Sequence, residues 1–164
     1  MARGTGTPII VSADPQGKFM EGIIGSGMTP KPGTIMQRDA SVALKSGRHT
    51  YVVYNRDADG NLPAGSYWVL LNDTLQGRAV TTAYAAGERC FLYSPRAGEE
   101  LNLLLLDVAG TGDDHTIGEI LMVDDGTGKL IATTGSPESE VAQLLETVTD
   151  PVADTLAWVQ WTGQ

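Results

Sequence analysis

"ILMVDDGTGKLIATT", residues 120–134, can be read in two ways, and the choice decides the fold. Gly-Thr-Gly-Lys is either part of a loop that cradles a phosphate or a turn between two strands. A P-loop needs a glycine, four further residues and then Gly-Lys followed by Ser or Thr, whose hydroxyl reaches Mg²⁺. Here Leu130 follows Gly128-Lys129, and Val123 stands where the first glycine belongs. What is left is an apolar run, an Asp/Gly turn and "KLIATT", the pattern of a β-hairpin in which glycine takes up positive φ. The stretch predicts a hairpin with no nucleotide role and places Lys129 at an exposed turn.

The same rhythm extends outward. "TYVVYN", "SYWVLLND", "GRAVTTAYA", "RCFLYSP", "ELNLLLLDV" and "TLAWVQWTG" are short runs rich in Val, Leu, Tyr, Trp and Thr, separated by Asp-Gly, Pro-Ala-Gly and Ala-Gly-Glu. Glycine supplies 20 of 164 residues, against a norm of roughly 7%. Many short strands with turn signals at close intervals predict an all-β fold: an antiparallel β-barrel or β-tulip-like sandwich. Two segments stand apart. "LNLLLL", residues 101–106, shows no alternation, as in a strand covered on both faces or a fragment of helix; Gly98 and Ala109-Gly110 on either side favour a strand. "SPESEVAQLLETV" offers Ser136 as an N-cap, with Pro137, Glu138 and Glu140 in the first turn, so residues 137–146 read as one short helix or as a strand.

Residues 1–17 are rich in Gly, Thr and Pro around one apolar island, Pro8-Ile9-Ile10-Val11. That composition predicts an extended N-terminal arm that orders on a partner, ahead of a β-rich body over 18–164. The length suits one domain with a real core. A single cysteine, Cys90, allows no internal disulfide, and no Cys/His spacing suggests zinc. The N-terminus lacks the apolar stretch of a signal peptide and no run is long enough to span a bilayer, so synthesis in the cytoplasm and no membrane association are expected. The net charge of −9 is unevenly divided: residues 1–96 hold 10 Lys and Arg against 7 Asp and Glu, and residues 97–164 hold 1 against 13. This balance predicts no direct contact with nucleic acid and allows head-to-tail complementarity between copies.

Chemistry-bearing patterns are sparse. "NRDADGNLPAGS", residues 55–66, places Asn55, Asp57 and Asp59 where an EF-hand has its first ligands, but Ser66 stands where the bidentate Glu belongs, leaving at most a weak Ca²⁺ site. His49 and His115 are in no ligand spacing. Cys90, among apolar neighbours in "ERCFLYSP", reads as an inert core thiol. Glu99-Glu100 and Asp124-Asp125 are adjacent pairs, and neighbouring strand residues face opposite sides, so neither pair converges on a substrate. Trp158 and Trp161 are three apart and in a regular strand also face opposite ways, which splits a sugar platform. The expectation is a protein that is not an enzyme and takes no cofactor.

From about residue 30 onward, "PGTIMQ", "AGERCFLYSPRAGEELNLLLL", "IGEILMVDDGTGKLIATTG", "VAQLLETV" and "DTLAWVQWTG" follow one another in an order that resembles the capsid decoration, or cement, proteins of tailed bacteriophages. The resemblance implies a β-barrel or β-tulip body, a place on the outer surface of the virion, and an N-terminal arm on the major capsid protein. It also implies a homotrimer or dimer and has no catalytic residues to transfer. The expected function is therefore that of a structural virion protein which stabilises the shell by bridging capsid subunits. Pro8, Ile9, Ile10 and Val11 would form the arm's contact, and Leu104 and Leu106, on the second face of the unalternating run, would meet a neighbouring subunit. The rival is a ligand-binding β module, for carbohydrate or Ca²⁺, on a phage fibre or cell surface.

Overall fold

The computed structural model describes residues 9–12, 18–55, 67–73, 77–106, 114–132, 140–149, 151 and 154–163. Among them every regular element is a strand: β1 (Ile10–Ser12), β2 (Lys18–Ile24), β3 (Ile35–Arg38), β4 (Thr50–Val53), β5 (Trp68–Leu70), β6 (Arg89–Ser94), β7 (Glu100–Leu105), β8 (Ile120–Val123), β9 (Leu130–Ala132), β10 (Glu140–Leu144) and β11 (Thr155–Trp161). The segment open to a helical reading is settled over its described part as β10. Its backbone is paired on both sides, with β8 and with β11, and such pairing satisfies the amide groups that a helix would otherwise bond internally. The cap residues that suggested a helix, Ser136, Pro137 and Glu138, lie outside the described residues.

The strands form two closed rings. β2, β4, β3, β5 and β6 close into one barrel, in which β2 and β4 run parallel and the other pairs antiparallel. The second sheet runs β1-β7-β11-β10-β8-β9, and a further pairing of β9 with β7 closes β7, β11, β10, β8 and β9 into a ring, with β1 added on β7. That closure is also parallel, at Leu105 and Leu130. Closing a sheet removes the exposed edges that would otherwise pair with other chains. The uneven charge of the sequence now has a place, because β6 ends at Ser94 and β7 begins at Glu100. The strongly acidic half of the sequence supplies β7 to β11 of the second barrel.

Alternation along the first barrel's strands divides them between two cores. Met36, Trp68, Leu70, Cys90 and Leu92 pack inside the first barrel with Ile24, Tyr51 and Tyr84. Their chain neighbours Ile35, Val69 and Tyr93 point the other way, into a cluster shared with the second barrel. A period of two therefore supplies one barrel's interior and the contact with the next. Cys90 is fully buried, and burial pushes its thiol up to about 12 despite a hydrogen bond with the Gly22 backbone. A disulfide reagent at pH 8 is expected to leave the native chain unlabelled and to label it fully once unfolded, which absorbance at the released thiol's wavelength measures directly.

The "LNLLLL" run is covered on both faces. Leu101, Leu103 and Leu105 are fully buried, and Leu104, on the opposite face, is only 3% exposed. The cover over Leu104 comes from its own chain: its N–H donates to the carbonyl of Gly33 at 3.2 Å, and its cross-strand partner Leu156 also packs on Gly33. Leu104 is thus covered within its own chain. Of the apolar island, Ile9 behaves likewise. Ile9 is 2% exposed and part of the shared core, its carbonyl accepts from Asn102 N–H at 2.7 Å, and β1 pairs with β7.

Candidate functional site

The opening stretch is a hairpin, and its turn is wedged between the barrels. β8 and β9 pair from Val123–Leu130 to Leu121–Ala132. Within the turn the Thr127 hydroxyl donates to Asp124 at 2.6 Å, and Gly126 and Gly128 both have positive φ. Two backbone bonds then stitch the turn to the first barrel. Ile35 N–H donates to Gly128 at 2.7 Å, and Gly126 N–H donates to Tyr54 at 3.0 Å.

Beside this junction lies a cleft of about 450 Å³. Its polar wall is built around Asp154, which stands just ahead of β11 at a φ of 67°. Lys31, from the loop between β2 and β3, donates to Asp154 Oδ2 at 2.6 Å. Lys129, from the β8–β9 turn, lies 2.8 Å from Oδ1. One carboxylate therefore ties together a loop of the first barrel, the wedged turn and the entry to β11. Lys129 is not the exposed turn lysine the sequence suggests, because its side chain is only 20% exposed. Met28, Pro30, Val53 and Leu104 supply an apolar wall.

Burial would raise the pKa of Asp154, but hydrogen bonds and charge from Lys129 and Lys31 outweigh it and hold the carboxyl below its ordinary value. A group depressed on folding contributes stability in full above its unfolded pKa, about 3.9 for Asp, and loses it as pH falls through the lower folded value. Asp154→Asn keeps a residue that tolerates positive φ while removing the charge. It is expected to lower the urea midpoint at pH 6, with the gap to wild type closing below about pH 4 as the wild-type carboxyl protonates.

The residues singled out by sequence are scattered rather than gathered. Ile10 is half-buried and Val11 exposed on β1, while Pro8 lies outside the described residues. Leu106 is half-buried and donates its N–H to Leu130 at 2.8 Å. Asn55 is exposed, whereas Asp57 and Asp59 lie outside the described residues. His115 is buried, with Nδ1 2.9 Å from Glu119. Glu99 and Glu100 diverge as adjacent strand-end residues should: Glu99 accepts from the Tyr93 hydroxyl at 2.5 Å and Glu100 from Trp158 Nε1 at 3.2 Å. Trp68 and Trp161 are buried and Trp158 half-buried, so the three indoles form no common platform. Lys31 and Asp154 carried no sequence signal, since 123 residues separate them. No protein-family model matches this chain, and no curated protein does either.

Proposed function

We propose that this chain is a structural protein of a phage virion, one that binds the outer surface of the head and braces it by bridging subunits of the major capsid protein. The observation that carries this reading is the loop between β3 and β4. Val42 is 44% exposed and Leu44 57% exposed, next to Lys45, whose backbone bridges to Arg48 in a tight hairpin. Apolar side chains held at the tip of a loop, beside cations, suit a contact with another protein. The order of hairpins that resembles decoration proteins adds support, because its stretches supply β3 and β6 to β11. Many copies on a symmetric shell would convert a modest contact at each loop into firm attachment.

The test is co-sedimentation of the chain with heads of the phage that encodes it, followed by electron microscopy of the decorated particles. Leu44→Asp is expected to leave the fold intact and weaken binding by about tenfold or more, as loss of an apolar anchor does. Heads that carry no density for the wild-type chain would refute the proposal. Wild-type binding by Leu44→Asp would remove this loop from it.

A further inference from the structure

We infer that the cleft between the barrels is a binding site for a carboxylate borne on a short apolar stem. This stands apart from capsid attachment, since the cleft and the β3–β4 loop are built from different segments. The lining brings two ammonium groups to one carboxylate, leaving one positive charge in excess. Each ammonium has three N–H donors, and Asp154 takes a hydrogen bond from each. Each lysine thus carries further donors beyond the one given to Asp154, and Lys31 is 35% exposed to entering solutes. A cation would be repelled by this pair.

The rest of the lining narrows the ligand. Met28 and Val53, both half-buried in the lining, offer a surface for a few methylene groups, which inorganic phosphate does not have. A phosphate dianion would also exceed the single charge in excess. The Thr127 hydroxyl is already given to Asp124, and Asp124 is itself outside the lining, so the Asp/Gly turn contributes little for a phosphate to bond. Thr29, exposed in the lining, adds a polar residue to the cleft. The two sources of this chemistry are a free short-chain acid and the Asp or Glu side chain of a partner protein. In both, one carboxylate sits at the end of an apolar stem.

The experiment is a nitrogen–proton NMR titration of the whole chain with butyrate, with the neutral isostere butyramide, with inorganic phosphate and with N-acetyl-glutamate amide. Butyrate is expected to shift the amide signals of Thr29, Thr34 and Lys129 to saturation, with butyramide giving no saturable change. Lys31→Met should weaken butyrate by about tenfold, the usual scale for a lost charge-assisted hydrogen bond. Tighter binding of N-acetyl-glutamate amide than of butyrate would assign the site to a partner's side chain, and the reverse order to a free acid. Equal responses to butyrate and butyramide, or phosphate binding more tightly than butyrate, would overturn the inference. The comparison of isosteres uses the wild-type chain, so it decides the matter even if Lys31→Met loosens the junction.

Discussion

Gly128→Ala is expected to lower the unfolding free energy by about 3 kcal/mol, with contributions from left-handed backbone strain and from overpacking. The residue sits at a φ of 63°, and a Cβ there would stand 2.3 Å from the backbone oxygen of Ile35 and 2.9 Å from Thr34 Cγ2. A backbone oxygen cannot rotate away as a side chain can, so the turn must lift off the first barrel. That movement would also stretch the bond from Ile35 N–H to Gly128. For a chain of this size a loss of about 3 kcal/mol corresponds to a fall in Tm of about 9 °C. Gly126→Ala, in the same turn, is the internal control. Its φ is 83° and nothing lies within 4 Å of the added Cβ, so only the conformational cost remains, about 1 kcal/mol. Thermal unfolding of the two variants followed by circular dichroism separates strain from docking. Equal losses would mean that the wedged position of Gly128 adds nothing.

Leu104→Ala should cost about 3 kcal/mol, within the range for a large-to-small change in a packed core. The decisive feature is how that loss responds to dilution. Because Gly33 and Leu156 cover Leu104 from within the chain, the difference between wild type and variant should be the same at any protein concentration. A side chain covered by a second copy would behave otherwise, since association shifts apparent stability by mass action. Leu106→Ala, at a half-buried position, should cost only about 1 kcal/mol. Urea unfolding at two concentrations a hundredfold apart tests both statements, and a Leu104→Ala penalty that grew with concentration would return this face to an interface between subunits.

What the sequence determined by itself was local. The failed P-loop and the Asp/Gly turn of residues 123–130 specified a hairpin because turn chemistry acts within a few residues. Short β-branched and aromatic runs specified strands except at "GRAVTTAYA", residues 77–85, which form turns between β5 and β6 instead, and the unalternating "LNLLLL" with its flanking glycines favoured a strand. Cys90 read as a core thiol from its neighbours, and the three-residue spacing of Trp158 and Trp161 separated their faces. Each of these follows from a period or a motif that survives in one dimension.

The tertiary structure decided everything that joins distant segments. Two rings formed, each closed by a parallel pair, because which strands pair is a choice among long-range contacts that short apolar runs leave almost degenerate. Ile9 and Leu104 are buried within the chain, since cover supplied by the same chain comes without the entropy lost in bringing two molecules together. The junction of Lys31, Lys129 and Asp154 had no sequence signature at all. An ion pair imposes no period, and its partners meet here only because the turn at Gly128 docks where β3 begins, which brings a carboxylate 123 residues away within 2.6 Å of Lys31.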